Sequence, residues 1–142
     1  MKHGEFLPLL TFGTGNSGVY TSANTAGITY QYRWGVWEKQ GLFVHFAFGF
    51  ILTNKGTATG DCYIFGLPKM PMTLVGGQMP IYTFCDLMGT NITSEVGGVV
   101  NISGPTVELL RKSAGNSVVL TNADFTNGSQ VHVSGKYLSF DQ

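Results

Sequence analysis

Apolar and polar positions alternate with a period of two along most of the chain. From Val44 one parity carries Val44, Phe46, Phe48, Phe50 and Leu52, and the other His45, Ala47, Gly49 and Ile51. Successive side chains of a strand point to opposite faces, so this run predicts a strand with a bulky aromatic face and a smaller one. The bulky face suits a sandwich core. The small face, His45, Ala47 and Gly49, could approach a neighbouring subunit closely. Asn54-Lys55-Gly56 signals a turn, followed by a strand from about Thr57 to Phe65, ended by Gly66-Leu67-Pro68.

Further short strands are expected at Leu7 to Phe12, Ile81 to Cys85, Gly98 to Ser103, Thr106 to Lys112, Val118 to Leu120 and Gln130 to Phe140. Thr106 to Lys112 competes as a helix, but it lacks a sustained 3.6-residue period and is bracketed by Gly104-Pro105 and Gly115-Asn116. Lys69 to Pro80, rich in Pro and Gly, reads as an irregular crossover, and Thr121 to Gly128 as a turn or a single helical turn. Many short strands between Gly/Asn-rich turns predict an all-β antiparallel sandwich, jelly-roll-like. The domain expected is one, with residues 1–27 an N-terminal strand and arm-like segment and residues 28–142 the sandwich proper. The polar, turn-rich stretch after Phe12 suits an arm that gains order on a partner.

Composition narrows the classes. The 142 residues are 43% apolar and carry no net charge, which argues against disorder. Only 11% are charged, against roughly 25% in a typical domain. There is no basic footprint for nucleic acid. So few charges protect a monomer poorly from self-association, so part of the surface is expected to be covered by identical subunits. Phe6 to Leu10 is too short and broken for a signal-peptide core, and the longest apolar stretch, Leu42 to Leu52, is far short of a membrane helix. A chain made in a cytosol without membrane insertion is expected, with Cys62 and Cys85 reduced.

No catalytic apparatus is legible, and no cofactor or metal is expected. Glu5, Glu38, Asp61, Asp86, Glu95, Glu108, Asp124 and Asp141 are scattered. His3, His45 and His132 have no metal-ligand spacing. Gly13-x-Gly15-x-x-Gly18 matches a dinucleotide motif formally, without the strand and helix that would make it one. The aromatics say more. Tyr30, Tyr32, Trp34 and Trp37 crowd eight positions, and the first three share one alternation parity. Such rings either cover the sandwich and its subunit contacts or meet a sugar face. Tyr32, Trp34 and Trp37 are the candidate ligand-binding residues. His45, Ala47, Gly49, Leu9 and Phe12 are the candidate subunit contacts.

Several blocks resemble C-terminal modules of bacteriophage tail fibres and tailspikes. Leu9-Leu10-Thr11-Phe12-Gly13 is similar to their opening, and Tyr30, Gly35, Trp37 and Gly41 keep a Tyr/Gly spacing, with Trp37 in place of a Tyr. The most specific block runs from Leu52-Thr53-Asn54-Lys55-Gly56 through Gly60 and Ile64 to Gly66-Leu67-Pro68. Leu120 to Asn127 and Val131-x-Val133-Ser134-Gly135-x-Tyr137 complete it. The resemblance spans about Phe6 to Tyr137, loosely over Lys69 to Gly104. It implies a homotrimeric virion protein that binds a host surface, often carbohydrate, and stabilises the trimer. Catalytic residues do not carry over. A small capsid decoration protein, clamping capsomers through an N-terminal arm, is the alternative.

Overall fold

The computed structural model describes residues 2–14, 19–68, 78–80, 84–101 and 106–139. The longest strands come from the strongest alternation. Ile28–Gln40 and Phe43–Lys55 form a hairpin turned by Leu42 and by Gly41, whose φ is +59°. We number the strands β1 (Lys2–Glu5), β2 (Leu9–Phe12), β3 (Ile28–Gln40), β4 (Phe43–Lys55), β5 (Cys62–Phe65), β6 (Gln78–Pro80), β7 (Phe84–Met88), β8 (Val96–Asn101), β9 (Thr106–Ser113), β10 (Asn116–Val119) and β11 (Gln130–Leu138).

All strand pairs are antiparallel and fall into two sheets. One has the order β1-β3-β4-β11-β7, the other β2-β5-β9-β8-β6, with β10 also on β9. The chain crosses repeatedly between them, giving the all-β antiparallel sandwich that the alternation predicts. Val44, Phe46, Phe48, Phe50 and Leu52 are all buried, facing Val131, Val133 and Tyr137 of β11 across the strand register. Leu10, Phe12, Ile64, Val107 and Leu109 of the second sheet complete the core, with Leu120 and Phe125.

Two local expectations change. β4 and β5 are not a hairpin: β4 runs on through Lys55, and residues 56–61 carry the chain to the other sheet before β5 begins at Cys62. The arm-like first segment supplies a strand to each sheet, β1 on β3 and β2 on β5. Within the same segment, Ser22–Thr25 form a 3-10 turn whose Asn24 side chain donates to the Phe12 carbonyl. Strand Thr106 to Lys112 forms as expected, and Thr121 to Gly128 holds one 3-10 turn at Asn122–Asp124. The expected strand from Ile81 and crossover from Lys69 lie largely outside the described residues.

Candidate functional site: the outer face of the five-stranded sheet

The site begins with a bulge. Tyr30 pairs with Leu52 and Tyr32 with Ile51, so Gln31 is an extra residue in β3. A bulge shifts the side-chain parity. Tyr30 therefore turns inward: its ring meets Phe50 edge-on at 5.7 Å, and its hydroxyl accepts the Leu10 N–H at 2.9 Å. Arg33 also turns from the outer face, with its guanidinium 4.5 Å from the Tyr30 ring centroid. Burial raises the Tyr30 phenol above its ordinary value. Tyr32 and Trp34 point outward. The shared parity of Tyr30, Tyr32 and Trp34 is thus broken, because an inward hydrogen bond and ring contact hold Tyr30 on the core side.

Beyond the bulge the register is regular, and the outer face can be read in cross-strand rows. One row is Glu5–Val36–Ala47–Ser134–Phe84, from β1 to β7. Its neighbour on one side is His3–Glu38–His45–Lys136. On the other side come Trp34–Gly49–His132–Asp86 and then Tyr32–Ile51–Gln130–Met88. Large apolar groups stand exposed across the face at Tyr32, Val36, Phe43, Phe84 and Met88, and Phe84 is the most open of these at 70%. All three histidines of the chain lie on it.

The predicted site residues divide as follows. Tyr32, Trp34, His45, Ala47 and Gly49 share this outer face, so the ligand candidates and the subunit candidates occupy one surface. Trp37 has the opposite parity, although it is among the residues that line the groove beside Val36 and Glu38. It pairs with Phe46 on the core side, and its indole covers Gly4, where an added Cβ would lie 2.7 Å from Nε1. Leu9 is half-buried in β2. Phe12 is fully buried in the chain's own core, its ring 5.4 Å from Phe125, so it has no surface to offer another subunit. Gly49 is roofed over. The Trp34 and His132 rings, 6.4 Å apart, close on it, and an added Cβ would lie 2.7 Å from the indole nitrogen and 2.6 Å from His132 Cδ2. The small residue thus seats Trp34 rather than a neighbouring subunit.

Two adjoining grooves run along the β1–β3 side of the face. The larger, about 680 Å³, is lined by His3, Glu5, Val36, Glu38, His45 and Ala47 among others. The second, about 440 Å³, continues past Glu5 and Val36 to Trp34 and Leu7. Val36, Phe84, Met88, His132 and Lys136 were not among the predicted site residues. Their alternation in β3, β7 and β11 marks them as outward, but only the register brings them to one surface.

Elsewhere the titratable groups have structural roles. Asp124 accepts the Thr121 N–H at 2.9 Å and lies 3.4 Å from Arg111 Nε. Burial pushes the Cys62 thiol up, reinforced by Asp124, Asp61 and Glu108. Burial and then Glu108 push the Tyr63 phenol up to about 12. Neither cysteine is in a disulfide. Among the described residues, no three His, Cys, Asp or Glu side chains gather as metal ligands, and no helix is long and apolar enough to cross a membrane.

No family model and no curated relative matches the chain. Among solved structures, the chain is similar to the crystal structure of the Dettilon tailspike protein, with a TM-score of 0.72 and 17% sequence identity. The match covers 96% of this chain and 23% of the tailspike, so the chain spans about a quarter of that protein's length. Nearly all of this chain therefore has the fold of a segment of a phage tailspike protein.

Proposed function

We propose that the chain is a non-enzymatic structural module of a bacteriophage virion, the head of a tail fibre or tailspike. It works as a homotrimer, made in the host cytoplasm, that steadies the fibre and binds a host-surface carbohydrate. The observation that carries this reading is the outer face of the five-stranded sheet. Five large apolar side chains stand open on one face of a chain with little charge and no net charge. Large apolar groups gathered on one exposed face mark an interaction site. The tailspike-like fold supports the phage assignment.

The face divides along the strands. The rows through Glu38 and Val36, with Phe43 beyond them, suit contact with identical subunits. The rows through Trp34 and Tyr32 suit a sugar: an indole seated over Gly49, a phenol 55% exposed, and His132, Gln130 and Asp86 as hydrogen-bonding groups beside them. Capsid decoration is less well supported, because β1 and β2, which an N-terminal clamp would draw on, are paired into the two sheets.

Light scattering tests the assembly, with an expected mass three times 15.3 kDa. Trp34→Ala should lower affinity for host-surface polysaccharide at least tenfold while the mass is kept. Equal affinity would sink the carbohydrate role, and turnover of that polysaccharide by the isolated chain would overturn the non-enzymatic reading.

A further inference from the structure

The two halves of the outer face differ in shape and charge. The β1–β3 half is concave and acidic: Glu5 and Glu38 rim a groove of about 680 Å³ whose apolar residues include Val36 and Ala47. The β11–β7 half carries Lys136, whose ammonium lies 5.0 Å from the Phe43 ring centroid, and at its edge the exposed ring of Phe84, with Asp86 beside it along β7. Groove and knob lie on the same row, Val36–Ala47–Ser134–Phe84, three strand spacings or about 14 Å apart. Between them stand only Ala47 and Ser134, small enough to let backbones approach.

A surface bearing two different patches that fit each other cannot satisfy both against itself except in a head-to-tail arrangement or about a twofold axis. We propose that identical copies meet through this face head to tail, the Phe84 edge and Lys136 of one entering the Glu5–Glu38 groove of the next, closing as a ring of three around Ala47 and Ser134. This rests on the homotrimer reading above and specifies its contact. The remaining charged and titratable groups of the face are His3, His45, His132, Asp86 and the Tyr32 phenol. Asp86 sits one row away from Phe84, opposite His132, and so on the carbohydrate side of the contact.

Charge reversal tests the pairing. Glu38→Lys and Lys136→Glu each place like charges opposite one another in every contact, and like-charge juxtaposition at an interface is costly. Both variants change surface residues, so each should keep the wild-type near-ultraviolet circular dichroism while light scattering at micromolar protomer shows loss of the trimer. The double variant Glu38→Lys/Lys136→Glu should regain it. Mixing the two single variants should not restore a trimer, because a ring of three cannot alternate two kinds of subunit without one like-charged contact. Four results would overturn the proposal. Trimers in both single variants would place the contact on another face. A dissociated double variant would separate Glu38 from Lys136. Restoration by mixing, at twice the monomer mass, would mean a twofold pair. A variant that loses the circular dichroism signal would show that these side chains hold the fold together. A monomeric wild-type protein would instead remove the homotrimer reading itself.

Discussion

Phe48→Ala measures how far the aromatic stripe holds the two sheets together. Phe48 is 1% exposed and sits between two rings, Phe6 at 6.1 Å edge-on and Phe46 at 6.0 Å stacked. Its cross-strand neighbours are Gly35 and Val133. Gly35 has no side chain to move into the space left, and Phe6 already lies against it, so the cavity would collapse only in part. Truncating a buried Phe costs about 3–5 kcal/mol, and the two ring contacts place this site toward the upper part of that range. A domain of this size has about 5–15 kcal/mol in total. The alanine variant should therefore fold with little margin. Phe48→Asp should not fold, because its carboxylate would be buried without a partner.

The assay is urea unfolding followed by fluorescence, at fixed protomer concentration because association adds to apparent stability. With a slope of about 2 kcal/mol per molar, a loss of about 4 kcal/mol lowers the midpoint by about 2 M. Thr53→Ala, at an exposed position of the same strand, is the control and should cost less than about 1 kcal/mol. A loss below about 1 kcal/mol for Phe48→Ala, or a folded Phe48→Asp, would refute the claim that this parity forms the core.

Alkali and one backbone position provide two further checks. Cys62 and Tyr63 both have raised pKa values, so the folded state holds protons that the unfolded chain releases; stability should be complete below the ordinary thiol value of 9.0 and fall as pH rises toward about 12. Thermal melts across that range would show it, Cys62→Ala should move the onset up toward 10.0, and a flat profile would contradict the burial of both groups. Gly56 has φ +75° and its added Cβ would collide with the Ala26 carbonyl oxygen, where the Thr57 N–H is also bound at 2.9 Å. Gly56→Ala should therefore cost at least about 2 kcal/mol, whereas Gly41→Ala, at φ +59° with open space around it, should cost about 1 kcal/mol. Equal losses in urea would mean that the turn at Gly56 can move away from β3.

Alternation is a local property, and where it was strong the sequence alone determined the strand and its buried face. Val44 to Leu52 shows this: every bulky residue of that parity is buried, because no other face of a half-covered strand can hide five such side chains. The low charge raised the expectation of covered surface but could name no face for it. Tyr30-Gln31-Tyr32-Arg33-Trp34 shows the limit. Its alternation is unbroken, yet Tyr30 faces the core and Tyr32 the outside, because the Tyr30 hydroxyl meets β2 across the sandwich and the strand must bulge to let it. That hydrogen bond joins residues twenty positions apart in different sheets, so no period within β3 could reveal it. The surroundings of Trp37, Phe12 and Gly49 were settled in the same way: cross-strand register and packing between sheets, not local pattern, decided what lay opposite them. The same register gathered Glu38 and Val36 of β3, Lys136 of β11 and Phe84 of β7, three separate stretches of chain, onto one outer face, a juxtaposition that exists only once the strands are paired.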